Sequence, residues 1–505
     1  MTAHDTLVRH IAETYAIHPK IAEILVQKGI TTPELARATF EPTLSNLVSW
    51  QTLPDIEALL RAVDQARQKQ QRILVWGHED ADGFTSVAVL LAALQHLGLD
   101  ALYYVPSKRK EGHGLGEQGF AYARDQGVSL ILTVDCCGSD RAAVARAREL
   151  GFQVVLTDHH ELPRELPEAP LVNPKRGGGS FPYLAGVGVA LKAAWALLDA
   201  FQGLSLQAFR EAFPWSFAYA AIGTVADRVP LFSENKIIAD EGLRALEASP
   251  PPFVQVLTET LGQPPALDLL ISVVSSGKRR DHRHEGVDLL LHRDPAALKP
   301  LLNTLLQGVQ EYRSRGDALL NRAMQEIRSG RRYLLIDLQD AEPQYLGYVA
   351  SRLKDLYGVP TVVLGRKQQE IVAEVRAPYG FNSLELLHTL SPLFTSYGGH
   401  KAASGFSMPP ENLASLVEEM ELYFRSYRPR LEDQVDLKVP DMTPELWQSV
   451  EKVARLGVDL RLLTRFDPEL MRPSGPAPIP PGRWVLVSTG PNGIQIHEVP
   501  GLEDA

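Results

Sequence analysis

Four short apolar runs punctuate the first half of the chain, at 73–76, 101–105, 130–134 and 154–157. They are continuous rather than alternating, as expected of strands buried on both faces. Each is followed by residues with aliphatics at helical spacing, which predicts βαβ units and a parallel sheet from 72 to about 245. Residues up to about 50 read as short helices, with Thr32-Pro33-Glu34 as a helix start. From about 265 to 329 the pattern is helical throughout and suits a long connector. A second α/β lobe opens with Arg332-Tyr333-Leu334-Leu335-Ile336 and runs to about 427. The tail differs again: 473–482 is rich in Pro and Gly and leads into a short β-like run at 484–487. The expected architecture is α/β, with a helical segment at 1–55, a parallel-sheet domain at 56–250 and a helical connector at 251–330. A smaller α/β domain at 331–428 and a short C-terminal appendage at 429–505 complete it.

Composition narrows the class without naming a function. A chain of 505 residues is too long for one core and should hold two to four domains. No apolar run reaches the length of a membrane span, and the N-terminus lacks a basic region followed by an apolar one. The two cysteines are adjacent, Cys136 and Cys137; they cannot build a disulfide framework and fit a reducing cytoplasm. They read as small buried hydrophobes at a strand end. A net charge of −10 argues against a protein that coats nucleic acid non-specifically. It leaves room for a local basic groove feeding an acidic centre.

The chemistry lies at the strand ends. The first apolar run leads into His78-Glu79-Asp80-Ala81-Asp82-Gly83. In an extended turn alternate residues point the same way, so His78, Asp80 and Asp82 can converge. Taken alone, such a turn is more often a solvated acidic loop. Three later ends repeat the pattern: the third run delivers Asp135, the fourth Asp158-His159-His160, and a helical run at 218–225 ends at Ala226-Asp227. A lone Asp after a strand is usually a helix cap. Together, however, these residues have the composition of a two-metal site. Carboxylate and imidazole suit Mn²⁺ or Mg²⁺, and the histidines favour Mn²⁺. Two cations about 3.5–4 Å apart would acidify a water and steady an in-line phosphoryl displacement, so metal-assisted phosphoester hydrolysis is the reaction class.

These residues resemble a family. His78-x-Asp80-x-Asp82-Gly83, Thr133-Val134-Asp135, Asp158-His159-His160 and Gly223-Thr224-Val225-Ala226-Asp227 are similar to the four motifs of the DHH phosphoesterases. Their order and spacing resemble the RecJ branch, the bacterial single-strand-specific 5′→3′ exonucleases. Val105-Pro106, Glu111-Gly112-His113-Gly114-Leu115, Asn173-Pro174-Lys175 and the run from Leu184 to Ala190 agree with it. So do Val349-Ala350-Ser351-Arg352-Leu353 and Tyr357-Gly358-Val359-Pro360. Gly398-Gly399-His400-Lys401-Ala402-Ala403-Ser404-Gly405-Phe406 is similar to the substrate motif of the companion DHHA1 domain. The resemblance covers roughly residues 20 to 450. It implies a DHH domain at 56–250 and a DHHA1 domain at 331–428. It also implies one cation held by His78, Asp80 and Asp135, and another by Asp82, His159 and Asp227, with Asp135 bridging. His160 would lie near the scissile phosphate, and Asp158 would fix a histidine tautomer. Gly398, Gly399, His400 and Arg376 would bind substrate.

Four departures bear on substrate choice. His78 stands where most bacterial RecJ proteins carry aspartate. Ala373-Glu374-Val375-Arg376 stands where they carry Gly-Ser-x-Arg, and Glu374 would repel a phosphate if it faced the groove. Ser275-Ser276-Gly277-Lys278-Arg279-Arg280 replaces an Asn-Ala-Ala-Gly-Arg element; Lys278 and Arg280 remain candidates for phosphate contact, or a solvated helix-end cluster. Finally, 442–446 resembles the entry to an OB-like domain. The residues beyond Gly457 are too few for a complete barrel, and Trp447, Phe466 and Trp484 are too scattered for a stacking platform. Weak grip on long DNA is the expected consequence.

The expected function is a two-metal exonuclease acting 5′→3′ on single-stranded DNA to give mononucleotides. DNA is favoured over RNA, repair proteins are possible partners, and no membrane is involved. The alternative is a DHH hydrolase of short oligonucleotides: nanoRNA, dinucleotides or bisphosphate nucleosides. A non-catalytic DHH scaffold is disfavoured, because every matched ligand position keeps a metal-binding side chain.

Overall fold

In the computed structural model the described residues are 2–108, 110–112, 114–327, 332–367, 369–378, 381–399, 401–427, 435–474, 479–490 and 493–499. They form two compact units, Met1–Leu305 with Asp436–Ala505, and Leu306–Val435.

The first unit is built on five parallel strands: β1 (Arg72–Trp76), β2 (Ala101–Tyr104), β3 (Val128–Thr133), β4 (Gln153–Thr157) and β5 (Leu171–Val172). Their order is β2-β1-β3-β4-β5. Alternate residues face opposite layers. Leu74, Trp76, Ile131 and Leu156 pack against Phe120 and Val144, which come from the helices Glu117–Asp125 and Arg141–Glu149. On the other side lies the helix Ala81–His96, against which the helices Gly186–Gln202 and Pro214–Ala226 pack. All three are apolar nearly all round, as helices buried among helices must be.

The strand–helix alternation ends earlier than the sequence predicts. After β5 the chain from 186 to 261 is helical, without a further strand. Runs such as 187–198 are apolar on every side, so periodicity alone does not tell whether a sheet or other helices cover them. The connector departs too: β6 (Arg279–Arg280) and β7 (Arg283–His284) form a short antiparallel hairpin turning at Asp281, whose φ is +53°. This charged stretch lacks the apolar period that would mark a helix. The rest of the connector is helical as expected, ending in the helix Pro295–Glu326.

The second unit holds a mixed sheet of β8 (Leu334–Asp337), β9 (Thr361–Lys367), β10 (Glu370–Arg376), β11 (Ser396–Gly399) and β12 (Ala403–Met408), ordered β11-β12-β10-β9-β8. Only the β8–β9 pairing is parallel. The helix Pro343–Tyr357 covers one face through Leu346, Val349 and Leu353. Leu416, Met420 and Phe424 of the helix Leu413–Ser426 cover the other.

The tail forms β13 (Leu437–Val439), β14 (Arg461–Arg465), β15 (Trp484–Gly490) and β16 (Gly493–Glu498), a four-stranded sheet in that order, with the helix Pro444–Arg455. It docks on the N-terminal helices: Ser449 Oγ accepts from the His18 N–H at 2.8 Å, and Lys28 pairs with Asp436 at 2.9 Å. Trp447, Phe466 and Trp484 are all buried, so none of them offers a stacking face to solvent. Among the described residues no single helix is long and apolar enough to cross a membrane.

Candidate metal centre

Three strand-end motifs, after β1, β3 and β4, and Asp227 at the end of the helix Pro214–Ala226 come together at the carboxyl edge of the parallel sheet, where open α/β folds bind ligands. Asp80 caps the helix Ala81–His96, accepting from the Gly83 N–H at 2.9 Å. The turn is therefore extended only as far as Asp80, and Asp82 already lies in the first helical turn. His78 Nε2 lies 3.4 Å from Asp80 Oδ2, but Asp82 points inward instead of alternating with them. Its oxygens accept from the N–H groups of Gly186 (2.7 Å) and Val187 (2.8 Å), which open the helix Gly186–Gln202. A helix N-terminus thus solvates a carboxylate that water cannot reach.

Asp135 does not cap the helix that follows β3; Asp140 does. Asp135 sits instead at φ +59°, a left-handed conformation that costs a non-glycine residue energy and is typical of functional positions. Its carboxylate comes so close to Gly186 that a Cβ there would lie 2.6 Å from Asp135 Oδ1. Asp227 follows the helix Pro214–Ala226. His159 Nε2 lies 3.1 Å from Asp135 Oδ1, 3.6 Å from Asp227 Oδ2 and 3.8 Å from Asp82 Oδ2. Two groups each draw their ligand atoms within 4.8 Å: Asp82, His159 and Asp227; and Asp135, His159 and His160.

The electrostatics match that crowding. Burial, reinforced by Asp135, pushes Asp82 well above the usual carboxylate range. Burial and the charges of Asp80 and Asp158 do the same to Asp135, and burial raises Asp227. Burial would raise Asp80 as well, but Lys108 and His78 outweigh it and hold that carboxyl low. His159 Nε2 is buried and aligns for a hydrogen bond with none of its carboxylate neighbours. An orphaned imidazole nitrogen facing two buried carboxylates, Asp82 and Asp135, and the more exposed Asp227 is a donor set that a divalent cation satisfies, so these residues fit the metal expected of them.

Asp158 is buried and serves its neighbours. One oxygen accepts from the His159 and His160 N–H groups and lies 2.7 Å from His160 Nδ1; the other accepts from the Gly138 N–H at 2.7 Å. Burial alone would raise it, but the hydrogen bond and charge of His160 hold it below the usual range. Cys136 and Cys137 are buried free thiols beside this loop.

Two contributors escaped sequence reasoning. Lys108 Nζ lies 3.2 Å from Asp80 Oδ2, and its backbone N–H donates to Glu79 at 2.6 Å. Its only sequence signal was a basic run after Val105-Pro106. The N–H groups of Gly186 and Val187 lay inside a recognised motif without an assigned role.

The candidate substrate residues are more dispersed. Lys278 is exposed beside the β6–β7 hairpin, and Arg280 on it is exposed and paired with Glu285 at 2.6 Å, so this is a hairpin rather than a helix-end cluster. Arg279, between them, is inward, paired with Glu111 and lying over the Tyr104 ring. In the second unit Gly398 and Gly399 are exposed on the edge strand β11. Arg376 ends β10 with Nη1 bonded to Glu374 Oε2 at 2.7 Å. His400 lies outside the described residues.

Residues 72–214 match the DHH family, N-terminal domain, and residues 330–426 match the DHHA1 domain. The chain is 29% identical to the single-stranded-DNA-specific exonuclease RecJ of Bacillus subtilis over 89% of its own length, and spans 59% of that relative. It is 30% identical to the RecJ of Haemophilus influenzae over 80% of its length and spans 74% of that protein. A crystal structure of exonuclease RecJ bound to manganese superposes with a TM-score of 0.63 at 25% identity, covering 76% of this chain and 98% of the other. RecJ of Thermus thermophilus in complex with Mn²⁺ matches with a TM-score of 0.65 at 23% identity, over 99% of this chain and 73% of that one.

Proposed function

Because the chain belongs to the RecJ family of single-stranded-DNA-specific exonucleases, we propose that it hydrolyses single-stranded DNA from the 5′ end to mononucleotides in a cation-dependent reaction, with Mn²⁺ preferred over Mg²⁺. The observation that carries this reading is the buried, unpartnered His159 Nε2 among Asp82, Asp135 and Asp227. His78, Asp80 and Asp135 would hold one cation, and Asp82, His159 and Asp227 would hold the other, with Asp135 able to serve both. When bound, the cation pair acidifies a water and neutralises charge developing at phosphorus, so no protein general base is needed.

The chain's own residues set the geometry around that chemistry. The N–H groups of Gly186 and Val187 fix both oxygens of Asp82. Asp158 orients the His160 ring through Nδ1 at 2.7 Å and favours its cationic form, in which Nε2–H donates to a non-leaving phosphate oxygen. His160 is half exposed, as a substrate-facing group must be. In the second unit Arg376, Gly398, Gly399 and His400 contact substrate phosphates, and Lys278 and Arg280 contact the strand further along. Such an enzyme acts in the cytoplasm and serves DNA repair and recombination.

The test is a panel of end-labelled substrates, with single-stranded DNA, RNA and a dinucleotide, each in Mn²⁺, Mg²⁺ or chelator. Mononucleotides should be released from the 5′ end of DNA in Mn²⁺ and not in chelator, and Asp135→Ala should lose both activity and Mn²⁺ binding. Rapid dinucleotide cleavage without degradation of DNA would overturn the reading in favour of a short-oligonucleotide hydrolase.

A further inference from the structure

Within the second unit, β10 carries an ion pair between Arg376 and Glu374. Glu374 and Arg376 project from the same face of the strand, two residues apart. Arg376 Nη1 donates to Glu374 Oε2 at 2.7 Å and to the Val375 carbonyl at 3.0 Å, while Nε donates to Ser351 Oγ at 3.2 Å. The guanidinium is thus committed to partners inside the protein. The pair sits against the helix Pro343–Tyr357 at Gly347, where a Cβ would lie 2.8 Å from Arg376 Nη2 and 3.7 Å from Glu374 Oε2. Any larger residue at 347 would displace it. Arg376 is about one-quarter exposed and Glu374 somewhat more, so both are within reach of a ligand that arrives at this strand end.

We propose that Glu374 is a specificity-determining residue that makes this chain discriminate against a 5′-phosphate monoester on the DNA end and accept a 5′-hydroxyl end. This rests on the reading that Arg376 contacts substrate phosphate, and takes that phosphate to be the one at the 5′ end. An internal phosphodiester carries one negative charge, whereas a terminal monoester carries about 1.5 to 2 at neutral pH. To engage Arg376, the monoester must displace or approach the Glu374 carboxylate, and the repulsion grows with its second charge. The same carboxylate burdens the diester less. Glu374 therefore selects between ends by charge, while Arg376 supplies the attraction for both.

Two oligonucleotides of one sequence, with a 5′-phosphate or a 5′-hydroxyl, read the effect. The quantity is the ratio of their kcat/KM values in Mn²⁺, together with the ratio of their Kd values by fluorescence anisotropy in chelator. For the wild type both ratios should favour the hydroxyl end. Glu374→Gln, which keeps the size and removes the charge, should shift each ratio toward the phosphorylated end by about tenfold. Glu374→Ser should do the same, and adding Arg376→Ala to Glu374→Gln should cancel the shift. Ratios that move less than about twofold in both Glu374 variants overturn the proposal. So does a wild type that already favours the phosphorylated end. A wild type that cleaves neither oligonucleotide overturns the exonuclease reading instead, and the binding ratios still decide the role of Glu374.

Discussion

Asp227→Asn should make the metal-free protein more stable and the metal-loaded protein less so. Asp227 is a carboxylate at the C-terminal end of the helix Pro214–Ala226, where the helix dipole disfavours an anion by about 0.3–1 kcal/mol. Its ligand oxygen lies within 4.8 Å of that of Asp82. At that distance and an effective dielectric of about 20, two full charges repel by about 3.5 kcal/mol. The Asp227 side chain is nearly one-third exposed, and burial, which disfavours the charge on Asp82, relieves part of the repulsion. The net gain from removing the charge is therefore about 1–2 kcal/mol in chelator. In Mn²⁺ the wild type gains RT ln(1 + [Mn²⁺]/Kd), about 2.7 kcal/mol at one hundred times Kd, and the variant loses most of that gain. Thermal unfolding with and without Mn²⁺ should show the two proteins exchanging rank, and exonuclease activity should fall more than about 100-fold in the variant. A variant less stable than wild type in chelator, or one that gains equally from Mn²⁺, would refute the reasoning.

Three further substitutions test other parts of the fold. Lys192 and Glu234 form an ion pair at 2.8 Å with both side chains wholly buried, so Lys192→Met should cost about 3–5 kcal/mol in urea unfolding by leaving Glu234 unpaired. Adding Glu234→Leu should restore much of it, whereas a single-variant loss below about 1 kcal/mol would show that Glu234 finds another partner. Gly186→Ala places a methyl 2.6 Å from Asp135 Oδ1 and so must shift that carboxylate; activity should drop about 100-fold with little change in the far-ultraviolet dichroism spectrum. His284 is stacked on Phe84 at 4.2 Å, and burial lowers its pKa from 6.5 to about 4. The unfolded chain takes up this proton first on acidification, so stability is intact above pH 6.5 and lost as pH falls to about 4, by about 3 kcal/mol in total. Urea unfolding of His284→Asn between pH 7 and 4 should lack that share of the slope, and an unchanged slope would place the titration elsewhere.

The parallel sheet was legible because β1 to β4 are continuous apolar runs whose ends carry the polar residues. The second lobe was legible from its strands at 334–337 and 361–367. What eluded the pattern depends on distant contacts. The N–H groups that hold Asp82 come from residues 104 and 105 positions away. The docking of the tail joins Ser449 to His18 across 431 positions, and nothing local marks either residue for the other. The β6–β7 hairpin was read as helix because Lys278, Arg279 and Arg280 carry no periodicity of either kind.

The candidate site was legible for the opposite reason: its residues are the ones that local stability does not explain. A cap would account for Asp135, but Asp135 caps nothing and holds a left-handed backbone that costs about 1–3 kcal/mol. A helix-end preference would account for an anion at 227 if it stood at the N-terminus, but it stands at the C-terminus. Solvation would account for Asp82 if it were exposed, but it is buried beside two further carboxylates. Each violation is separate in sequence, and all three point at His159 Nε2. Independent local costs that converge on one atom are what a shared cation would offset, because it would draw together carboxylates that otherwise repel.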